Sequence, residues 1–159
     1  MLTLAMAELI HPDCRELWQT ARELVREYAA SLNVNLDFQN FDEELLHFET
    51  EYAPPSGGFL LARHDGEFVA CGAFRRFSDS VCEMKRLYVR PSGRKLGIGR
   101  QLAQALIAEA KTLGYRRMLL DTLPTMQSAQ ALYQSLGFVP TEPYRFNPIE
   151  GSAYLKLDL

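Results

Sequence analysis

Apolar positions change their spacing several times along the chain, and each change marks a predicted element. A short strand is expected over Leu2 to Ala7, followed by a helix from about Asp13 to Ser31. Within that helix Leu17, Ala21, Leu24, Val25, Tyr28 and Leu32 fall on one stripe at helical spacing. Asp13 stands three residues before Glu16, close to a capping box, with Pro12 just outside. A second short helix, FDEELLHFETEY, runs into Ala53 to Gly58, where two prolines and two glycines require a loop. Two β-rich runs, GFLLARH and EFVACGAFRRF, flank Asp65-Gly66, a strong hairpin signal. A third strand, VCEMKRLYV, completes an antiparallel meander and ends before Pro91.

From Gly97 the period lengthens again. Ile98, Leu102, Ala105, Leu106, Ala110 and Leu113 form a helical stripe, and Gly114 supplies the stop. Tyr115 to Thr122 then reads as a strand parallel to the preceding one, because a helix joins them. Another helix, TMQSAQALYQSL, ends at Gly137, and the tail offers two strands, near Phe138 to Pro140 and from Ser152 to Leu159. No repeat, low-complexity segment or linker interrupts this series. It predicts one domain over residues 1–159, with a mixed sheet that is antiparallel first, contains a β-α-β unit and carries packed helices.

Composition narrows the class. In 159 residues, 47% hydrophobic and 11% aromatic content supply a single packed core. No apolar run approaches the roughly 18 residues of a membrane span, and the first residues lack a basic segment followed by a long apolar one, so a cytoplasmic location is expected. Cys14, Cys71 and Cys82 are odd in number and far apart, which favours reduced structural thiols over disulfides or a zinc site. His11, His47 and His64 show no ligand spacing, and no metal is expected.

The net charge of -3 hides an asymmetry. Residues 1–80 carry 14 acids and 6 bases, whereas residues 81–159 carry 6 acids and 11 bases. Six bases and no acid lie between Lys85 and Arg100. Inside that run, RKLGIGR places two glycines at a strand-to-helix turn, where unpaired backbone N–H groups and the helix dipole suit an anion. A nucleoside-triphosphate loop needs Lys then Ser or Thr after the second glycine, and Arg100-Gln101 stands there. A dinucleotide fingerprint needs a third glycine where Leu102 lies, although Asp121 ends the next strand about where a ribose-binding acid would sit. A turn with no ligand is the remaining alternative. The pI of about 5.6 argues against nucleic acid.

The pattern R-x-x-G-x-G, from Arg94 to Gly99, with Tyr-Gln-Ser-Leu-Gly-Phe at 133 to 138, resembles the GNAT superfamily of acetyl-CoA-dependent N-acetyltransferases. The resemblance covers residues 59 to 139 and implies an α/β (α+β mixed) acyl-CoA N-acyltransferase fold: a mixed, mostly antiparallel central sheet with helices on both faces. It implies acetyl-CoA as cosubstrate, its pyrophosphate held by Arg94, Lys95, Leu96, Gly97, Ile98, Gly99 and Arg100. Its pantetheine arm would lie along Leu87, Tyr88 and Val89, with the Val89 N–H or a neighbour as oxyanion donor.

Direct attack of an amine on a thioester needs a proton acceptor, oxyanion donors and an acid for the thiolate. By the resemblance, Tyr133 is the acid. Glu83, 11 residues before Arg94, is the base candidate; Lys85 on the same strand face makes an ion-pair role its alternative. One departure stands out: Met126 occupies a position where family members often carry asparagine. Acceptor selection is expected from Phe41 to Pro55, Arg75-Arg76 and Tyr144 to Gly151, with Tyr52, Tyr144 and Asn147 as wall residues and a cationic acceptor suggested by the acidic N-terminal half. The expected partners are a small-molecule or peptide amine and, in a homodimer, a second copy; neither nucleic acid nor membrane is expected. The rival functions are a non-catalytic acyl-CoA-binding module and a dinucleotide-binding protein.

Overall fold

The computed structural model describes residues 6–32 and 40–159. Seven strands form one sheet in the order β1-β2-β3-β4-β5-β7-β6. They are β1 (Glu8–Ile10), β2 (Gly58–His64), β3 (Glu67–Ser78), β4 (Val81–Val89), β5 (Arg117–Thr122), β6 (Val139–Pro140) and β7 (Ala153–Asp158). The helices are α1 (Arg15–Ser31), α2 (Phe41–Leu46), α3 (Phe48–Tyr52), α4 (Ile98–Thr112) and α5 (Gln127–Ser135). Every neighbouring pair is antiparallel except β4 and β5, which run parallel through the α4 crossover.

Alternation along the strands builds two cores, one on each face. Leu60, Ala62, Phe74 and Met84 pack with Leu102 and Leu106 of α4 and with Tyr133 of α5. Phe59, Leu61, Cys71 and Ala73 face the other way, against Trp18, Leu24 and Val25 of α1 and Phe48 and Tyr52 of α3. Trp18, Phe48, Tyr52 and Phe59 form a continuous aromatic cluster with centroid separations of 5.3 to 6.0 Å. The predicted sheet with helices on both faces is the observed one.

Several local expectations need correction. Leu2 to Ala5 of the expected first strand lie outside the described residues, and the observed β1 begins at Glu8. Cys14, not Asp13, caps α1, and no side chain bonds the exposed amides there. The single helix expected over 41–52 is broken at His47, whose φ of -110° ends α2 and whose next residue starts α3. Tyr115 and Arg116 precede β5: the Arg116 N–H donates to the Ser80 carbonyl at 2.7 Å before the ladder begins. Asp65 and Gly66 form the β2–β3 turn with φ of 52° and 80°, the pair of positive values that a tight hairpin needs. No helix among the described residues is long and apolar enough to cross a membrane.

Candidate active site

The site begins with a fault in a strand. Cys71 pairs with Tyr88 and Ala73 with Lys85, so Arg86 and Leu87 stand opposite Gly72 alone. This is a β-bulge, and it bends β4. Arg86 takes a left-handed φ of 61°, unfavourable for a residue with a side chain. Glu44 of α2 holds it there: Arg86 Nε and Nη2 donate to the two carboxylate oxygens at 2.8 and 3.0 Å. Glycine lets the bulge pack closely at position 72, where an added Cβ would lie 2.9 Å from Leu106 Cδ1 and 3.0 Å from Leu87 Cδ1 and would push those side-chain ends aside.

Beyond the bend β4 leaves β5. Their parallel ladder covers Val81 to Glu83 against Arg117 to Leu119 and then stops. Met84 to Leu87 and Leu120 to Leu123 become the two walls of a cleft, closed from either face by Tyr28 of α1 and Tyr133 of α5. The Arg90 N–H donates to the Val69 carbonyl of β3 at 2.8 Å. Alternation therefore aims the Val89 N–H away from β3, toward the opening. Leu87, Tyr88 and Val89 thus offer an unpaired strand edge to an extended ligand.

At the wide end of the cleft the chain turns through a 3-10 segment, Pro91–Gly93, into α4. Arg94 Nε donates to the Val89 carbonyl at 3.2 Å, Lys95 takes a φ of 66° and Gly97 a φ of 74°. The first helical bond is from the Gln101 N–H to the Gly97 carbonyl, which leaves the N–H groups of Ile98, Gly99 and Arg100 ahead of the ladder. Ile98 buries its side chain in the core, so only its backbone can serve a ligand. Arg100 reaches Ser135 Oγ at 2.5 Å, tying α4 to α5. This turn and the open strand edge form one continuous track leading to Tyr133, with unpaired N–H groups and cations at its outer end.

Glu83 is fully buried on β4 at the inner end of the track. Its Oε2 accepts from the Tyr144 hydroxyl at 2.8 Å, and its Oε1 accepts from Arg145 Nη2 at 2.5 Å and Arg75 Nε at 3.2 Å. Burial pushes its pKa up, but the charges of Lys85, Arg145 and Arg75 and the Tyr144 bond outweigh it, holding the carboxyl below its ordinary value. Lys85, two residues on, is itself buried; desolvation and the Arg86 charge pull its pKa down to about 7. Tyr133 is buried edge-on to Phe138 at 5.6 Å, and burial raises its phenol. Met126 lines the same cleft, and its sulfur accepts a weak bond from Thr122 at 3.8 Å.

The sequence model of the acetyltransferase (GNAT) family matches residues 5–138. The chain belongs to the GNAT acetyltransferases. An uncharacterized N-acetyltransferase of Schizosaccharomyces pombe is 44% identical over 138 residues, 86% of this chain and 85% of that protein. An IAA acetyltransferase of Azospirillum brasilense is 33% identical over 126 residues, 77% of this chain and 75% of that one. Among solved structures, a GNAT acetyltransferase of Staphylococcus aureus superposes with a TM-score of 0.77 at 21% identity, covering 96% of this chain and 98% of that one. A GNAT acetyltransferase of Elizabethkingia anophelis, solved with acetyl-CoA bound, gives 0.59 at 25% identity over 76% of this chain and 82% of that one.

In this GNAT domain α2 and α3 cover the sheet face on which Arg75 and Glu83 lie. Arg75 bridges Glu51 at 2.5 Å, Glu44 at 3.5 Å and Glu83. A cleft of about 400 Å³ opens beside it, lined by Glu43, His47, Glu51, Arg75, Arg145 and Phe146. Tyr144 meets Glu83 as described, while Asn147 Nδ2 donates to Asp121 Oδ2 at 3.2 Å. Tyr52, expected as a wall residue, is instead buried in the aromatic core. Glu44 and Arg145 fall within the segments expected to select the acceptor, but neither their ion pairs nor the bulge at Arg86 carries a local signal in the sequence. Asp121, considered from sequence only as a ribose-binding acid, closes the run RMLLD.

Proposed function

We propose that this chain transfers the acetyl group of acetyl-CoA to a primary amine by direct attack of the amine on the thioester. The observation that carries the reading is the track from the Arg94–Arg100 turn along the unpaired β4 edge to Tyr133. The fit is chemical as well as spatial. Unpaired N–H groups at the start of α4, with Arg94 and Lys95 beside them, suit a pyrophosphate. The β4 edge at Leu87 to Val89 suits the amides of a pantetheine arm.

Bound acetyl-CoA supplies an activated acyl group; the chain supplies position and protons. The Val89 N–H, aimed into the cleft, stabilises negative charge developing on the carbonyl oxygen. Tyr133, a phenol kept protonated by burial, gives its proton to the departing sulfur. Glu83 has both oxygens engaged and a lowered pKa, which suits an anion that organises Arg75, Tyr144 and Arg145 into the acceptor wall better than it suits a base. The acceptor is a small molecule or an exposed peptide amine, entering from the cleft beside Arg75 and Phe146.

Release of free thiol from acetyl-CoA in the presence of a panel of primary amines tests the proposal. Amine-dependent release is expected. Tight acetyl-CoA binding with no release on any amine would instead leave an acyl-CoA-binding module, and thermal stabilisation by NAD alone would favour a dinucleotide binder.

A further inference from the structure

We infer that Asp121 holds the acceptor ammonium and takes its proton, an assignment that rests on the amine-acetylation reading above. Asp121 is the penultimate residue of β5 and lines the cleft opposite Lys85 on β4. Its strand neighbour Leu120 is buried in the α4 core, so alternation turns Asp121 to the opposite face of the sheet, the face that also carries Glu83.

Its hydrogen bonding differs from that of Glu83. Oδ2 accepts from Asn147, whose own Oδ1 accepts the Ile149 N–H at 2.9 Å, so the 147–149 loop fixes the carboxylate's orientation. Among the described residues, Oδ1 accepts no hydrogen bond. Four phenols from four parts of the chain feel the Asp121 charge: Tyr28 on α1, Tyr133 on α5, Tyr144, and Tyr154, its cross-strand partner on β7. A carboxylate with one oxygen free of hydrogen bonds, on the wall of a cleft, is a chemistry that attracts an ammonium. Lys85, the cation on the opposite wall, has its pKa pulled to about 7 by burial, so near neutrality it opposes an incoming cation only in part.

The proton balance is simple. The ammonium gives one proton to Asp121, which passes it to solvent. The nitrogen lone pair then forms the C–N bond as the C–S bond breaks. Tyr133 protonates the sulfur, and the second proton lost from nitrogen restores the phenol.

The test uses methylamine, n-butylamine, putrescine, L-lysine and glycinamide, and takes whichever is acetylated fastest as probe. D121N is expected to lose about 100-fold or more in kcat/KM for that amine, while acetyl-CoA affinity is retained. The loss shrinks with hydroxylamine, which is already neutral near pH 7.5. A readout without turnover accompanies it: in wild-type protein saturated with CoA, the probe amine shifts the carbon-13 resonance of the Asp121 carboxyl. Wild-type kinetics in D121N, or an Asp121 resonance unmoved by saturating amine, overturns the assignment. Absence of turnover on every amine by wild-type protein that binds acetyl-CoA contradicts the acetyltransferase reading itself.

Discussion

Glu44 clasps Arg86 with both carboxylate oxygens, at 2.8 and 3.0 Å, and both side chains are buried. Through this pair α2 holds the left-handed residue that bends β4 away from β5. The cleft therefore depends on an ion pair whose acid lies about 50 residues before the glycine turn at Gly97. Glu44→Ala leaves the Arg86 guanidinium buried without its main counter-charge and is expected to destabilise the fold by about 3 to 5 kcal/mol. Urea denaturation measures it, and a loss below about 1 kcal/mol would contradict the role.

Glu83 and Lys85 predict two separate pH windows in which stability rises with pH. Its folded carboxyl lies below the ordinary 4.5, so as pH falls below 4.5 the unfolded chain binds the proton first and stability is lost. Lys85 is held at about 7 against an ordinary 10.5. Between those values the unfolded chain again binds more protons, so this residue makes stability rise with pH. Melting temperatures of E83Q should flatten the acid limb, and those of K85M the rise above pH 7. Curves parallel to wild type would show that neither shift is real.

At the turn, two glycines have different jobs. An added Cβ at Gly97 meets nothing within 4 Å, so Gly97→Ala costs only its left-handed backbone, about 1 to 2 kcal/mol. At Gly99 a Cβ would find Leu132 and Val89 at an ordinary 3.7 Å, and alanine there is tolerated by the fold. Calorimetric titration with acetyl-CoA should show weaker binding for G97A. Undiminished affinity in G97A would detach the turn's conformation from cofactor binding.

Tyr133→Phe keeps the ring packed on Phe138 and removes the hydroxyl proposed to protonate the departing sulfur. A fall in kcat of about 100-fold, with acetyl-CoA affinity unchanged, is expected from stopped-flow and binding measurements. A fall in affinity with kcat intact would make Tyr133 a packing residue.

Element order was legible because it is written locally. The Asp65-Gly66 hairpin, the change of period at Ile98 and the Gly114 stop each follow from a few adjacent residues. The break at His47 was not, since the apolar spacing of 41–52 continues across it. Nor does any glycine announce the positive φ of Arg86; the tertiary pairing with Glu44 imposes it. The glycine turn lies at the start of α4 and Tyr133 on α5, as the period of the apolar positions predicts. The surroundings of Glu83 and Asp121 come from Tyr144, Arg145 and Asn147, tens of residues away in a segment with little regular structure, where no period points.

Mass spectrometry of the amine panel after incubation with acetyl-CoA, run beside thiol detection, tests the acetyltransferase account most directly. It predicts an N-acetylated product in one-to-one stoichiometry with released thiol for at least one primary amine. Thiol release without N-acetylation would mean hydrolysis, and neither signal from a protein saturated with acetyl-CoA would mean binding alone; either result contradicts it.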